Sequence, residues 1–189
     1  MKKALYLAVL LIFALSLAAC GGQPTPTTVV PPATATPVSP PALTLETLKN
    51  AEYQSEFPAS KKARLTDGQY QEDIVPGSAT KLNIVLYPMA AFGDLNGDGV
   101  DDAAAVLVAD PGGSGTFYYL VAVVNQNGTP KHVASVLLGD RVRFKSISIQ
   151  AGEIVVNMVQ QALGDPMCCP TMEVTQKYKL QGDKLVPIS

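Results

Sequence analysis

Short apolar runs, each closed by a turn signal, fill the second half of the chain and restrict it to a β fold. Turn dipeptides such as Asn127-Gly128 and Ala151-Gly152 recur at the spacing of about eight to twelve residues that is typical of antiparallel sheets. Thr116–Val124 is continuously apolar and aromatic, which predicts a central strand buried on both faces. The pattern predicts a mostly β fold, an antiparallel sandwich or open barrel of about 8–10 short strands with one short N-terminal helix.

The apolar face of Arg141–Ile149 changes between Phe144 and Ile147, which predicts a bulge at Ser146 or a change of covering layer there. Met172–Leu180 alternates apolar with polar residues, as a half-buried strand with a polar outer face does. The other predicted strands are Leu82–Tyr87, Ala103–Ala109, Lys131–Leu138, Ile154–Gln160 and Lys184–Ile188, with weaker signals at Ala51–Phe57 and Lys62–Tyr70.

Two local assignments rest on propensity rather than on alternation. Thr44–Asn50 predicts the short helix, with Thr44 as N-cap and Glu46 in the first turn. The strand assigned to Ala103–Ala109 competes with a helix, because its alanines are strong helix formers.

The chain begins with a short positive segment, an apolar run over Ala4–Ser16, and small residues leading to Cys20. This layout is typical of a secretory signal peptide, and the run is shorter than the roughly 20 residues that span a bilayer. Leu17-Ala18-Ala19-Cys20 resembles the lipobox of bacterial lipoproteins. The resemblance implies a signal peptide over residues 1–19, acylation of Cys20 (palmitate among the chains) and anchoring in the cell membrane or outer membrane, facing outside the cytoplasm. The alternative is an ordinary signal peptide with a chance cysteine.

Residues 20–43 predict a disordered stalk, since seven of the fifteen prolines fall between Pro24 and Pro41. The remaining residues, 44–189, are about the size of one domain. Lysines and arginines number 14 against 16 acidic residues, and no basic run occurs. This balance argues against nucleic acid binding, so the expected partners are the membrane and an unidentified envelope protein or ligand.

The most specific chemistry lies between Asp94 and Asp102, where four of the 16 acidic residues fall. Unneutralised carboxylates this close repel one another, and a hard dication with oxygen ligands removes the conflict. Gly99 stands at the sixth loop position, where such a loop turns sharply. The expected Ca²⁺ ligands are the side chains of Asp94, Asn96 and Asp98, the Val100 carbonyl, and Asp102, directly or through water. Mg²⁺ suits such a cage less well. The alternative is a solvated turn.

The loop resembles the EF-hand loop as far as its ninth position, but Ala105 stands where that family has a bidentate Glu. It is more similar to the calcium loops of FG-GAP (integrin-type) repeats, where Gly-Asp-Leu-Asn-Gly-Asp-Gly runs into a strand. The chain has one copy of this string, whereas a propeller needs several, so the resemblance implies the loop and not the propeller. We expect the site to be structural, and we expect chelation to lower the melting temperature.

Cys168 and Cys169 are adjacent. Neighbouring Cα atoms lie about 3.8 Å apart, below the roughly 4.4 Å that disulfides usually need, so a bridge between them would be strained and more reducible. The alternatives are two buried thiols, an intermolecular bond, or a metal or redox function. The Cys168-Cys169-Pro170 string is faintly similar to actinobacterial lipoproteins of the LppP/LprE type, which implies no activity.

The enzyme signals are weak. His132 is the only histidine and has no recognisable triad partner, and Gly112-Gly113-Ser114-Gly115 lacks the nucleophile-elbow spacing. We therefore expect no enzyme and no catalytic residue, but a binding or envelope-associated module. The alternative is a secreted-side hydrolase with a carboxylate pair, which only the fold would bring together. A deep polar cleft would favour ligand binding, and a filled core would favour a scaffold or interaction role.

Overall fold

The computed structural model describes residues 39–188, which belong to one compact unit. The predicted signal peptide, Cys20 and most of the predicted stalk lie outside these residues. The end of the stalk packs on the domain, because Leu43 is buried in the core and the Pro41 carbonyl accepts a hydrogen bond from Asn125 Nδ2. The compact part therefore begins a few residues before the predicted boundary at Thr44.

The predicted mostly β fold is confirmed, with one short helix and three antiparallel sheets among the described residues. A five-stranded sheet has the order β3-β4-β5-β6-β7, a four-stranded sheet has the order β11-β10-β9-β8, and β1 pairs with β2. The elements are α1 (Leu45–Lys49), β1 (Glu52–Gln54), β2 (Lys62–Arg64), β3 (Gln69–Asp73), β4 (Lys81–Gly93), β5 (Asp102–Asp110), β6 (Phe117–Gln126), β7 (Thr129–Asp140), β8 (Arg143–Gln150), β9 (Glu153–Gln160), β10 (Met172–Gln181) and β11 (Lys184–Ile188).

The helix α1 begins as predicted, with the Thr44 side chain accepting from the Thr47 backbone N–H at 3.2 Å. Thr47 Oγ1 accepts in turn from the Thr44 backbone N–H, which completes a capping box. Residues 39–188 contain eleven strands, more than predicted, because the weak segment Lys62–Tyr70 divides into two strands. Its chain turns at Asp67-Gly68, where both residues have positive φ, and β3 starts afterwards.

The five-stranded sheet is covered on both faces, which resolves the ambiguity of Ala103–Ala109 in favour of a strand. In β5, Ala103, Ala105 and Leu107 belong to a core cluster shared with α1 and the β1–β2 pair. The intervening Ala104 and Val106 belong to a second cluster shared with the four-stranded sheet. The period is two and both faces are apolar, so the run is a central strand and its alanines leave room for both layers.

The predicted central strand at Thr116–Val124 is confirmed as β6, which lies between β5 and β7. The register of β8 against β9 shifts between Phe144 and Ser146, which confirms the predicted bulge. The β6–β7 hairpin turns through Asn127-Gly128 with φ of 53° and 86°, a pair of left-handed residues that matches strand twist.

Candidate metal centre

The acidic loop connects β4 to β5 at one end of the five-stranded sheet. Gly93 and Asp102 form the last paired residues of the two strands, so the loop leaves a fixed base. Leu95 inserts into the core between the two large sheets and is 4% exposed. The residues on either side of it, Asp94 and Asn96, are thereby held at the surface.

Asp94 organises the first half of the loop. Its Oδ1 accepts the backbone N–H of Gly97 at 2.6 Å, and its Oδ2 accepts that of Gly99 at 2.9 Å. The hydrogen bonds from Gly99 and Gly97 hold the pKa of the Asp94 carboxyl below its ordinary value. Both glycines have positive φ, 84° and 81°, so the wrap around Asp94 depends on residues that adopt the left-handed conformation without strain.

Asn96 and Asp98 continue the same pattern of short-range hydrogen bonds. Asn96 Oδ1 accepts from the backbone N–H of Asp98 at 2.9 Å, and Asp98 Oδ1 accepts from that of Val100 at 2.8 Å. Asn96 Nδ2 also donates to Asp98 Oδ2 at 2.9 Å. These contacts bring three of the predicted ligand side chains, those of Asp94, Asn96 and Asp98, into one folded loop.

Asp102, the last predicted ligand, lies at the buried base of the loop with no exposed surface. Its Oδ2 accepts the backbone N–H of Leu95 at 3.1 Å, and its Oδ1 accepts that of Asn125 on β6 at 2.9 Å. Burial raises the pKa of Asp102 above its ordinary value, and the charges of Asp98 and Asp94 add to the rise. Its carboxylate thus joins the loop to the centre of the sheet.

The donor chemistry of the loop suits a hard cation, because all the predicted ligand atoms are oxygens. Its carboxylates make no salt bridge within residues 39–188, and Asp101, which is exposed, has none there either. Within the same residues, however, no three side chains of His, Cys, Asp or Glu converge in an arrangement that would hold a metal ion. The five-ligand calcium set therefore stays a prediction.

Asn125 is a structural residue that the sequence does not reveal. It is 6% exposed, and its Nδ2 donates to the carbonyl oxygens of Pro41 at 2.9 Å and Asp101 at 3.3 Å. Its Oδ1 accepts the backbone N–H of Gly128 at 2.7 Å. Asn125 therefore links the segment that enters the domain, the acidic loop and the β6–β7 turn. In the sequence, Asn125 stands out only because it precedes Asn127-Gly128. That position indicates a turn, and it does not indicate that Asn125 links three segments of the chain.

The other residues singled out from the sequence lie away from this loop. Both nitrogens of the buried His132 ring bond to backbone: Nδ1 accepts from Gln54 at 2.9 Å, and Nε2 lies 3.0 Å from the Ala134 carbonyl. Cys168 and Cys169 form a disulfide on the loop between β9 and β10. Both cysteines are exposed, which contradicts the alternative of two buried thiols.

A cavity of about 260 Å³ lies between the N-terminal strands and one face of the five-stranded sheet. Its floor is aliphatic and includes Ile84, Leu107 and Val121. At its rim the Tyr119 hydroxyl donates to Glu56 Oε1 at 2.6 Å, and burial and this carboxylate raise the pKa of Tyr119. The cavity is smaller than the roughly 300–1,000 Å³ of most ligand pockets.

Comparison with protein-family models, with curated proteins and with solved structures finds no match for this chain. Among residues 39–188, no helix has both the length and the apolar character that crossing a membrane requires.

Proposed function

We propose that this protein is a bacterial lipoprotein anchored through Cys20, and that its β domain is an extracytoplasmic binding or envelope-associated module with a structural calcium-binding loop. The lipobox-like string Leu17–Cys20 and the proline-rich segment after it support the anchor. Calcium bound by Asp94, Asn96, Asp98, the Val100 carbonyl and Asp102 would fix the β4–β5 loop against the sheet.

One observation carries the calcium proposal: the loop collects carboxylates without a cationic partner. Within residues 39–188, none of the acidic residues between Asp94 and Asp102 makes a salt bridge, although Asp94 and Asp98 raise the pKa of the buried Asp102 through their charge. A dication held by these groups would reverse that repulsion. An extracellular-type site with a dissociation constant of about 10⁻⁴–10⁻³ M would stabilise the fold by about 1–3 kcal/mol at ten- to a hundred-fold excess calcium.

An interaction role has more support than a catalytic one. The five-stranded sheet packs apolar side chains on both faces, as a scaffold does, and the cavity on one of these faces is small. A carboxylate-based hydrolase needs two facing carboxyl groups. Among the described residues, Glu56 is the single carboxylate that lines the 260 Å³ cavity, and it accepts a hydrogen bond from Tyr119.

Thermal unfolding of the mature domain in excess chelator and in millimolar calcium tests the calcium proposal. We expect calcium to raise the melting temperature by about 2–12 °C, since 1 kcal/mol corresponds to about 2–4 °C for a domain of this size. Asp98→Asn should abolish the increase, because it removes a charged ligand. Asp101→Asn removes an equal charge outside the predicted ligand set and should retain the increase. Equal responses of the two variants would refute the ligand assignment.

A further inference from the structure

The β9–β10 loop carries a second chemical feature, the disulfide between Cys168 and Cys169. The loop spans residues 161–171 and is closed at its base by the pair Gln160 and Met172. Both cysteines are exposed, whereas the following Pro170 is buried. The sulfurs are therefore presented to solvent on a segment that is attached to the domain at both sides.

This disulfide does not act as a staple. The stabilisation from a cross-link grows with the number of residues in the loop that it closes. Because this disulfide joins two adjacent residues, it closes almost no loop. The disulfide links no two secondary-structure elements, and both of its cysteines are exposed. It therefore contributes little to the stability of the fold. Its reactivity, rather than a role as a cross-link, is the property that distinguishes this disulfide.

Other bonds hold the loop in shape without the bridge. Asp165 Oδ2 accepts the backbone N–H groups of Ala162 at 2.7 Å and Thr171 at 2.8 Å. The backbone N–H of Cys169 donates to the Pro166 carbonyl at 2.9 Å. Because these contacts tie the two ends of the loop together, breaking the disulfide leaves the loop framework in place.

Two arginines reach this loop, Arg141 from the β7–β8 connection and Arg143 from the start of β8. Arg143 Nη2 donates to the Pro170 carbonyl at 2.8 Å, and Arg141 Nη1 lies 3.8 Å from Sδ of Met167, the residue before Cys168. Arg141 is held in place by its backbone: its φ is 52°, and its N–H donates to the Thr116 carbonyl at 2.9 Å.

The acidic groups near the loop have partners of their own. Asp140 forms an ion pair with Arg141 at 3.3 Å, and Asp165 is used by the loop backbone and by the Thr171 hydroxyl. Arg143 has no carboxylate partner within residues 39–188, so its positive charge is available to the disulfide loop. A positive charge favours both the approach of a thiolate and the departure of one.

We propose that the Cys168–Cys169 disulfide is a redox-active site that exchanges with a dithiol. The thiolate of the dithiol attacks one of the two sulfurs, the bond between Cys168 and Cys169 breaks, and a mixed disulfide forms. The released cysteine thiolate takes up a proton. The second thiol of the partner then attacks the partner sulfur in the mixed disulfide. The bond between the partner and the protein breaks, and the second cysteine is released. The partner is oxidised to a disulfide, and the protein gains two electrons and two protons as Cys168 and Cys169 thiols.

The test follows the reduction of the native protein by dithiothreitol at a temperature far below unfolding. Samples are alkylated at intervals, and intact mass counts the alkyl groups. We expect both cysteines to be alkylated while the circular dichroism spectrum stays unchanged, with a fall in melting temperature below about 3 °C because almost no chain loop is opened. Oxidised dithiothreitol should restore the bridge.

Charge variants test the role of the arginines. Arg143→Gln should slow the reduction about two- to fivefold, as expected for the loss of one partly screened charge that contacts Pro170, the residue after Cys169. Lys179→Gln removes an equal charge from the exposed far part of β10 and should leave the rate unchanged. The proposal is wrong if the cysteines of protein isolated under alkylating conditions are already free thiols. It is equally wrong if the bridge resists dithiothreitol until the domain unfolds, or if its reduction unfolds the domain.

Discussion

Replacement of Asp102 by Asn isolates the connection between the acidic loop and the sheet. The carboxylate of Asp102 is fully buried and accepts one backbone N–H from Leu95 and one from Asn125. In Asp102→Asn one oxygen becomes an NH₂ group, which cannot accept. One of these two buried amides then lacks a partner, and the other keeps a neutral acceptor instead of a charged one.

The expected loss follows from these contacts. An orphaned buried amide costs about 1–3 kcal/mol, and the weaker second hydrogen bond costs about 1 kcal/mol more. Relief from burying a charge, whose cost raises the pKa of this group, offsets part of this loss. The net loss is about 1–3 kcal/mol, which corresponds to a fall of about 2–12 °C in melting temperature.

Denaturant unfolding in excess chelator measures this loss without any contribution from calcium. Asp101→Asn is the matched control, because the neighbouring side chain is exposed and should change stability by less than about 0.5 kcal/mol. If Asp102→Asn proves as stable as Asp101→Asn, the buried carboxylate does not hold the loop, and the reasoning fails.

Three further predictions concern the pH dependence, the domain entrance and the anchor. Burial lowers the pKa of His132, the only histidine in the sequence, in the folded domain. As pH falls from 7 towards 5.5, the unfolded chain therefore binds a proton at this residue before the folded domain does, and stability should decline. His132→Gln should make that decline shallower, and an unchanged slope would contradict the prediction. Gly128→Ala should lower the free energy of unfolding by about 2 kcal/mol, because φ is +86° and an added Cβ would lie 2.9 Å from Pro41. Gly182→Ala is the control: its φ is also positive but its surroundings are open, so the loss should be about 1 kcal/mol. Equal losses in chemical denaturation would exclude the Pro41 contact. Cys20→Ala should move the protein from the detergent phase to the aqueous phase in phase partitioning, and retention in the detergent phase would exclude acylation of Cys20 as its anchor.

The features of the fold that could be predicted from the sequence depend on residues that lie close together in the chain. The N-cap at Thr44, the turn at Asn127-Gly128 and the bulge near Ser146 each follow from a few adjacent residues. The hydrogen-bonded turns of the acidic loop belong to the same class, since Asp94 bonds to amides no more than five positions away.

The features that sequence reasoning missed arise from distant pairings. Asn125 acquires its role only when β6 places it beside Asp101 and Pro41, which are far away in the chain. The arginine neighbours of the disulfide loop come from a separate hairpin, so no local pattern brings Arg143 next to Pro170. Composition also left β5 ambiguous, because alanine suits both a helix and a strand that is covered closely on both faces.

The calcium loop is tested most directly by following the amide signals of the ¹⁵N-labelled mature domain as calcium is added to chelator-treated protein. We predict saturable shifts of the Gly97 and Gly99 amides, whose N–H groups bond to Asp94, with one dissociation constant of about 10⁻⁴–10⁻³ M. The signal of Gly164, in the β9–β10 loop at the opposite end of the four-stranded sheet from Gly152, which lies against Asp94, should not move. Absence of any saturable change at Gly97 and Gly99 up to 10⁻² M calcium, about ten times the weakest expected constant, would contradict the proposal and leave the loop a solvated turn.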